Sequence, residues 1–285
     1  ELSELFENSN EFQALENGEY SGKYPIANKK LVKQAIELQK KVVERYAKNA
    51  PNASKMLYKK GIFEESGWTL KRKNGKILCT NSNQSIPVEL KEVPLDYAFE
   101  IHDNLHYIHA ARGQLAFGLF LDGEEQPFSV LAVSKIDRNY KEEALSLNGY
   151  SAKSCLEFAR LFSRPGTPMN TSSFIQSATR DLLRKKFHYL QAIITSYMPA
   201  YAGGKSMLSS GLTESLLAKQ LIHKFYDENG LTTHRVTRAS KGEAIQTTKI
   251  PLYPTLELIC RIRQPNPSFN LIHNQQMPIY TKNRF

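Results

Sequence analysis

One stretch of the chain, residues 156–211, has residue types that suit phosphate binding. Within it the breaker cluster Arg164-Pro-Gly-Thr-Pro ends an apolar run at Phe158–Phe162, and Asn170 or Thr171 stands where a helix N-cap belongs. A helix N-terminus presents unpaired N–H groups and the positive end of the helix dipole, which favour an anion. A charge and several hydroxyl donors surround this point: Arg164, Thr167, Thr171, Ser172 and Ser173. An ordinary strand-to-helix turn with a well-capped helix has the same residues, so the segment alone leaves both interpretations open.

The apolar residues of this stretch predict two strands joined by a helix. Apolar positions at helical spacing follow the cap, at Phe174, Ile175, Ala178, Leu182, Leu183 and Phe187. A second apolar and β-branched run covers Leu190–Tyr197 and is closed by Pro199 and Gly203-Gly204. Two parallel strands with a crossover helix form a βαβ unit, which brings the ends of both strands to one edge of a sheet. A glycine loop and a short helix are expected next.

A helix predicted over Pro94–Ala110 carries three histidines. His102, His106 and His109 are spaced four and three apart, so they share a helical face and have metal-capable geometry. Asp103 points off that face, and a helical histidine trio without a carboxylate is more often structural, so we predict no metal site. His106 suits a general base by its intrinsic pKa, with Glu157 as the rival.

Other elements are predicted around this core. Asn-Gly supports a tight primed turn, so residues 68–79 should form a β-hairpin around Lys73-Asn-Gly-Lys76. Leu115–Leu121 and Phe128–Val133 form a second hairpin around Asp122-Gly123. We expect a loop over the site at 136–155, and further elements in order along the chain: an amphipathic helix at Asn28–Tyr46, a helix at 216–225, and closing strands at 244–249 and 253–263.

Three motifs in this region together resemble the acyl-CoA site of the GNAT superfamily of N-acyltransferases. They are Pro168-Met-Asn-Thr-Ser-Ser, Thr195-Ser-Tyr197 and Ala202-Gly-Gly-Lys-Ser. Their order and context are most similar to the branch that contains the phage Mom DNA-modification proteins, which has a P-x-N-(S/T)-x-S loop between strand and helix. The resemblance covers residues 98–263 or so.

The resemblance implies a mixed α+β fold with a central mixed sheet flanked by helices, and transfer of an acyl group from acetyl-CoA or another acyl-CoA to an amine. The thioester would lie in a slot between Ala159–Phe162 and Ile194–Tyr197, with a backbone N–H near Phe162 as the oxyanion donor. The residues that match the cofactor-binding positions are Phe162, Arg164, Gly166, Thr167, Asn170, Thr171, Ser172 and Ser173. Those that match catalytic positions are His106, Tyr107, Tyr197 and Ser206.

The chain departs from the family at two places. The family's Asp after the Ser-Tyr strand is Met198 here, so the iron that has been linked to the His-Tyr pair is not expected at His106-Tyr107. Many members carry a Tyr on the short helix after the glycine loop, where this chain has Ser206 or Ser209. Tyr197 and Tyr201 are close enough in sequence to replace that proton donor.

The amino-acid composition limits the class of protein and its possible partners. The formal net charge is +10 and 41% of the residues are hydrophobic, which is enough for a real core. We see no membrane-spanning run and no signal peptide, and three distant cysteines indicate a reducing compartment, so the expected location is cytoplasmic. We divide the chain into an acidic N-terminal tail at 1–25, an extension at 26–93, the GNAT-like core at 94–264 and a C-terminal tail at 265–285.

The acceptor remains open among three hypotheses. A nucleobase amine in DNA is preferred, because of the resemblance and the basic charge, and the base would have to be flipped or single-stranded. The alternatives are a GNAT enzyme that acts on a small-molecule or protein amine, and a catalytically silent GNAT-fold protein that binds nucleic acid or a partner. The oligomeric state is not predicted.

Overall fold

A computed structural model describes residues 41, 43–59, 63, 67–106, 108–197, 205–216, 225–226, 232–233, 237–240, 243–246 and 256–263. Its helices are α1 Pro51–Tyr58, α2 Leu95–Leu105, α3 Asn139–Leu147, α4 Thr171–Lys186 and α5 Lys205–Ser209. The larger strands are β1 Thr69–Lys73, β2 Lys76–Thr80, β3 Ser85–Glu92, β4 Leu115–Leu121, β5 Ser129–Lys135, β6 Cys155–Ser163 and β7 Ala192–Tyr197. The later strands are β8 Glu214–Ser215, β9 Phe225–Tyr226, β10 Thr232–Thr233, β11 Thr237–Ser240, β12 Glu243–Gln246 and β13 Leu256–Arg261.

Nine strands form one mixed sheet in the order β1-β2-β3-β4-β5-β6-β7-β13-β8. Neighbours pair antiparallel except β6 and β7, which are parallel and joined by the crossover helix α4. The predicted βαβ unit and the predicted mixed α+β class are therefore confirmed. Strands β9 with β10 and β11 with β12 form two separate two-stranded sheets.

Helices cover both faces of the large sheet. Leu131 on β5 packs in a core with Ile175 and Leu183 of α4, whereas its neighbour Val130 packs in a core with Ile101 of α2. Because successive side chains of a strand point to opposite faces, α4 lies on one face and α2 on the other. Helix α3 lies on the same face as α2, since its core contains Cys155 and not Leu156.

The predicted N-terminal hairpin is confirmed as β1 and β2. Its turn has positive φ at Asn74 (50°) and Gly75 (76°), which is the conformation that Asn-Gly supports. The base of the hairpin is tied to the loop before α4, because the N–H of Met169 donates to Trp68 O and the N–H of Leu70 donates to Met169 O, both at 3.0 Å. The predicted boundary at 93/94 thus falls inside one continuous sheet.

Two predicted elements differ from the structure. Helix α2 ends at Leu105, and His109 has a positive φ of 46°, so the three histidines do not share a helical face. Residues 139–147 form α3 and not a loop. The apolar side of α3 is hard to recognise in the sequence because one of its buried positions is Lys141.

Several predictions fall mostly on residues outside the described ones. They are most of the helix at Asn28–Tyr46, the helix at 216–225, the acidic tail and the C-terminal tail. The predicted hairpin at Leu115–Leu121 and Phe128–Val133 is confirmed as β4 and β5. Of the two predicted closing strands, β13 joins the large sheet, whereas β12 pairs with β11 in a separate sheet. Among the helices that the structure describes, none combines the length and the apolar character needed to cross a bilayer.

Candidate active site

Strands β6 and β7 separate in the middle of the sheet. Their parallel pairing runs from Cys155 with Ala192 to Phe158 with Thr195 and stops there, although β6 continues to Ser163 and β7 to Tyr197. At the point of separation the hydroxyl of Thr195 donates to the carbonyl of Phe158 at 2.9 Å. We call this opening the fork. It overlaps the slot predicted between Ala159–Phe162 and Ile194–Tyr197, although Ile194 and Thr195 are still paired with Glu157 and Phe158.

A β-bulge at Ala159 coincides with the fork. Ala132 of β5 faces Arg160 and Val133 faces Phe158, so Ala159 is the extra residue on β6. The extra residue moves Arg160 onto the face that carries Glu157. The Arg160 guanidinium donates from Nη1 to Ala159 O at 2.6 Å and from Nε to Ala110 O at 2.7 Å, which holds the bulge in place.

Main-chain N–H groups of β6 face the fork at Leu161 and Ser163. The N–H of Arg164 donates across to Phe128 O beside β5 at 2.9 Å, and Ser129 Oγ donates to Phe162 O at 3.3 Å. Because the pairs of an antiparallel ladder alternate between bonded and non-bonded, Phe162 directs its groups to β5 and Leu161 directs its N–H to the open side. Of the backbone N–H groups next to Phe162, where an oxyanion donor was predicted, those of Leu161 and Ser163 are the ones directed to the fork.

A buried ion network lies against the fork, on the face covered by α2 and α3. The Lys141 ammonium on α3 donates to Glu157 Oε1 on β6 at 2.6 Å and to Ser196 Oγ on β7 at 2.8 Å. It also lies 3.2 Å from Glu257 Oε2 on β13, and the Ser196 hydroxyl donates to Glu257 Oε1 at 2.9 Å. Ser196 is the first residue of β7 beyond the parallel pairing, so the network connects the two strands where their ladder ends.

A second cation completes this network. The Arg112 guanidinium lies 2.9 Å from Glu157 Oε2 and extends to Asp137 at the surface. Burial alone raises the pKa of Glu157, but Lys141 and Arg112 outweigh burial and hold that pKa below its usual range. Burial likewise lowers the pKa of Lys141, and the charges of Glu257 and Glu157 reverse the shift and raise it. Both groups are therefore charged at neutral pH.

The network predicts how stability changes in acid. A carboxyl whose pKa is depressed by folding stabilises the protein above its unfolded pKa of about 4.3, and the stabilisation is lost as the pH falls through the folded pKa. Urea unfolding should therefore find wild type more stable than Glu157→Gln by a constant amount from pH 7 to 5. Below about pH 4 that difference should shrink. A difference independent of pH would show that Glu157 is not ionised in the fold.

His102 lies on α2 and His106 at its C-terminal end, and both are close to Arg160 of β6. Burial, then the positive charge of Arg160, holds the pKa of His106 well below its usual range. Burial lowers the pKa of His102 to about 3. Both imidazoles are thus neutral. The Nδ1 atom of His106 accepts the N–H of Ile108 at 3.2 Å, so its proton lies on Nε2. In this state the Nδ1 atom of His106 is already bonded, and the general-base role suggested by its intrinsic pKa stays a prediction.

The loop between β6 and α4 has the predicted cap, and two of its four predicted hydroxyl donors are already bonded within the protein. Asn170 is the N-cap residue at φ 71° and its side chain makes no capping hydrogen bond. Thr171 Oγ1 donates to Pro168 O at 2.7 Å and Ser173 Oγ donates to Asn170 O at 2.9 Å. The first helical bond is from Phe174 N to Asn170 O. The N–H groups of Ser172 and Ser173 precede that bond and remain as helix-terminal donors.

Arg164 points to a different site. Its guanidinium is buried and lies 5.2 Å from the ring centre of Phe63. It lines a pocket of about 70 Å³ together with Met56, Lys59, Phe128 and others. Gly166 and Thr167 lie in the turn that follows, where Gly166 has φ 76°. The predicted loop residues are therefore adjacent in space, but Arg164 is directed to the side of α1.

The remaining predicted site residues are placed only in part. Tyr107 and Tyr201 lie outside the described residues, and the structure describes the backbone of Tyr197 at the end of β7. Ser206 is half-buried on α5, as predicted for the short helix after the glycine loop. Helix α5 docks on α4, since Arg180 Nη1 donates to Ser210 O at 2.6 Å.

Sequence patterns did not identify three residues of the site and indicated a different role for a fourth. Arg112, Lys141 and Glu257 had no recognised role, and Glu157 was considered as a base whereas it is ion-paired. The available signal was a carboxylate inside each of two mainly apolar strands, Glu157 on β6 and Glu257 on β13, whereas Arg112 and Lys141 lie in polar surroundings in the sequence. These residues come together only through the pairing of strands that are far apart in the sequence, which local patterns do not predict. Within the described part of the chain, no cluster of three or more His, Cys, Asp or Glu has metal-binding geometry.

No protein-family model matches the chain, and no curated protein matches its sequence.

Proposed function

We propose that the chain is an acyl-CoA-dependent N-acyltransferase with a GNAT-like fold, and that the fork is its acyl-transfer slot. The single observation that carries the proposal is the end of β6–β7 pairing at Phe158 and Thr195, next to the bulge at Ala159. A gap between two parallel strands leaves main-chain donors unpaired in a polar, partly buried opening. These main-chain donors could bind the carbonyl oxygens of an extended acyl thioester.

The N–H of Leu161 is the group that would polarise the thioester carbonyl by a hydrogen bond to its oxygen. It points to the open side of β6, where a thioester carbonyl would develop negative charge during attack. In the transfer, the amine nitrogen bonds to the carbonyl carbon and the C–S bond breaks. The proton leaving the nitrogen ends on the CoA sulfur, so the chain has to position two reactants and polarise one of them. Positioning of this kind supplies up to about 7–11 kcal/mol.

The start of α4 is the binding position that we propose for the nucleotide end of acyl-CoA. The N–H groups of Ser172 and Ser173 and the dipole of this 16-residue helix favour a phosphate. The helix follows β6 after the loop at 164–170, and we propose that a ligand running along the open side of β6 reaches its N-terminus. Acetyl-CoA or another acyl-CoA is the proposed donor.

The acceptor that fits best is an amine that is neutral before it binds. Both carboxylates beside the fork, Glu157 and Glu257, are paired with Lys141, and the Nδ1 atom of His106 is already bonded. A protonated alkylamine such as lysine would need one of these groups as a base. The exocyclic amine of a nucleobase carries no proton to remove first. We therefore keep a DNA nucleobase as the proposed acceptor, ahead of a small-molecule or protein amine.

A silent GNAT-fold binding protein is the second candidate. It is favoured by the loop before α4, where the hydroxyl protons of Thr171 and Ser173 are used inside the protein. Such a loop would bind a phosphate with fewer hydroxyl donors than its sequence offers, mainly through backbone groups.

The test is release of free CoA thiol from acetyl-CoA by the full chain, with no acceptor, with single-stranded DNA, with duplex DNA and with a lysine peptide. We expect DNA-dependent release and a mass increase on the DNA. Release with the peptide alone would favour the protein-amine alternative. Calorimetry with CoA is the control, since absence of binding would leave only the silent protein.

A further inference from the structure

The hairpin β1–β2 exposes a concentration of positive charge. Lys71, Lys73 and Lys76 are all exposed, and the last turn of α4 adds Arg184, Lys185 and Lys186. Arg72, between Lys71 and Lys73, points to the α4 face and makes a 3.2 Å ion pair with Asp181, so the three lysines point to the opposite face of the hairpin. Since β1 is an edge strand of the sheet, the two groups lie on the two sides of one sheet edge, and we call these six residues the basic hairpin surface.

The fold does not account for the three hairpin lysines. Lys73 and Lys76 are directly opposite each other across the strand pair, where like charges are destabilising. Glu89 and Glu92 on the neighbouring strand β3 are paired with Lys91 and Lys186. Among the residues described, Lys71, Lys73 and Lys76 have no acidic partner. The cations of α4 differ in this respect, since they complement the negative end of the helix dipole.

We infer that the basic hairpin surface binds the phosphate backbone of nucleic acid. A polyanion would relieve the repulsion between Lys73 and Lys76 and release counterions from its own backbone. The surface fits nucleic acid better than an anionic membrane. Membrane-binding surfaces combine cations with exposed apolar side chains, and the large exposed apolar residues of the described chain, Tyr46, Tyr58, Leu147 and Met169, all lie outside it.

The position of this surface links it to the fork. Helix α4 has 16 residues and is about 24 Å long, with the basic surface at its end and the loop after β6 at its start. Strand β1 runs the same way, from Thr69 beside Met169 to Lys73 at the tip. Nucleic acid that crosses this edge of the sheet, with contacts to the hairpin lysines on one side and to α4 on the other, would extend along α4 toward the fork. The inference gives the proposed acceptor a binding surface and so rests in part on the proposed function, but its test measures binding and not transfer.

The experiment compares two triple variants of the full chain by fluorescence anisotropy with a labelled 20-base-pair duplex. The first is Lys71→Gln with Lys73→Gln and Lys76→Gln. The matched control is Lys41→Gln with Lys48→Gln and Lys55→Gln, which removes the same charge from exposed positions near α1. Circular dichroism checks that both remain folded, and calorimetry with CoA reports the acyl-CoA site separately.

We expect the hairpin variant to bind the duplex about tenfold or more weakly than wild type. Its salt slope should fall by about 2–3, roughly one for each phosphate that the protein no longer neutralises. The control should bind nearly as wild type does. Equal weakening in both variants would overturn the inference, since it would show only the effect of net charge, and so would unchanged affinity in the hairpin variant. Hairpin-dependent binding to phosphatidylserine vesicles without DNA binding would assign the surface to a membrane. If the proposed function fails but the inference holds, CoA binding will be absent while the two variants still differ.

Discussion

Replacement of Lys141 with Met should lower the free energy of unfolding by about 3–5 kcal/mol, the cost of leaving buried carboxylates without their cation. Lys141 is fully buried, and Glu157 and Glu257 are nearly so. Without the ammonium, two negative groups face each other across Ser196 in a low-dielectric environment. Urea denaturation at pH 7 measures the effect. We also expect a rise in stability of this variant as the pH falls and a carboxyl takes up a proton.

A charge-balanced double variant separates the loss of charge from the loss of packing. Lys141→Met with Glu257→Gln removes one cation and one anion, and it leaves Glu157 paired with Arg112. Since a buried ion pair can be replaced as a pair at low cost, the double variant should recover at least half of the stability that the single variant loses. If the two variants are equally unstable, the Lys141 side chain stabilises the fold by its volume and not by its charge.

Replacement of Leu161 with Pro should reduce acyl transfer by about 10²–10³-fold, the usual effect of removing one oxyanion donor. Proline has no N–H, and it is tolerated in a strand where the N–H is not part of the ladder. The N–H of Leu161 faces the fork, so the sheet should still form. Transfer to the acceptor and the melting temperature should be measured together.

Two variants control for this change. Leu161→Ala removes a similar part of the side chain and keeps the N–H, so it should retain transfer within a few-fold of wild type. Phe162→Pro removes a bond to β5 and should destabilise the sheet. Equal transfer by Leu161→Pro and Leu161→Ala would exclude the Leu161 N–H from the reaction. A folded Phe162→Pro would show that the alternation along β6 is the opposite of the one we infer.

Local sequence patterns predicted most of the elements near the site. Asn-Gly between Lys73 and Lys76 fixed a hairpin turn, and the apolar run at Phe158–Phe162 with the cap at Asn170 fixed the order of β6 and α4. These features depend on neighbours within a few residues. The end of α2 at Leu105 was missed because the helical spacing of the histidines continues past it. The backbone there turns instead at His109.

The charged part of the site could not be predicted in the same way. Arg112, Lys141, Glu157 and Glu257 come from four separate segments, and each one alone resembles a surface residue. Their meeting is decided by the order of strands β5, β6, β7 and β13 and by the helix placed over them. The bulge at Ala159 also has no local signature, yet it brings Arg160 to the face of Glu157.

Amide chemical-shift mapping with CoA tests the central claim most directly, because it reports whether the ligand binds and where. In a titration of the ¹⁵N-labelled full chain, saturable shifts should be largest at Leu161, Ser163 and Ser196 around the fork, and at Ser172 at the start of α4. No shift at millimolar CoA, or shifts confined to residues around Phe63 and the hairpin, would contradict the assignment of the fork as an acyl-CoA site.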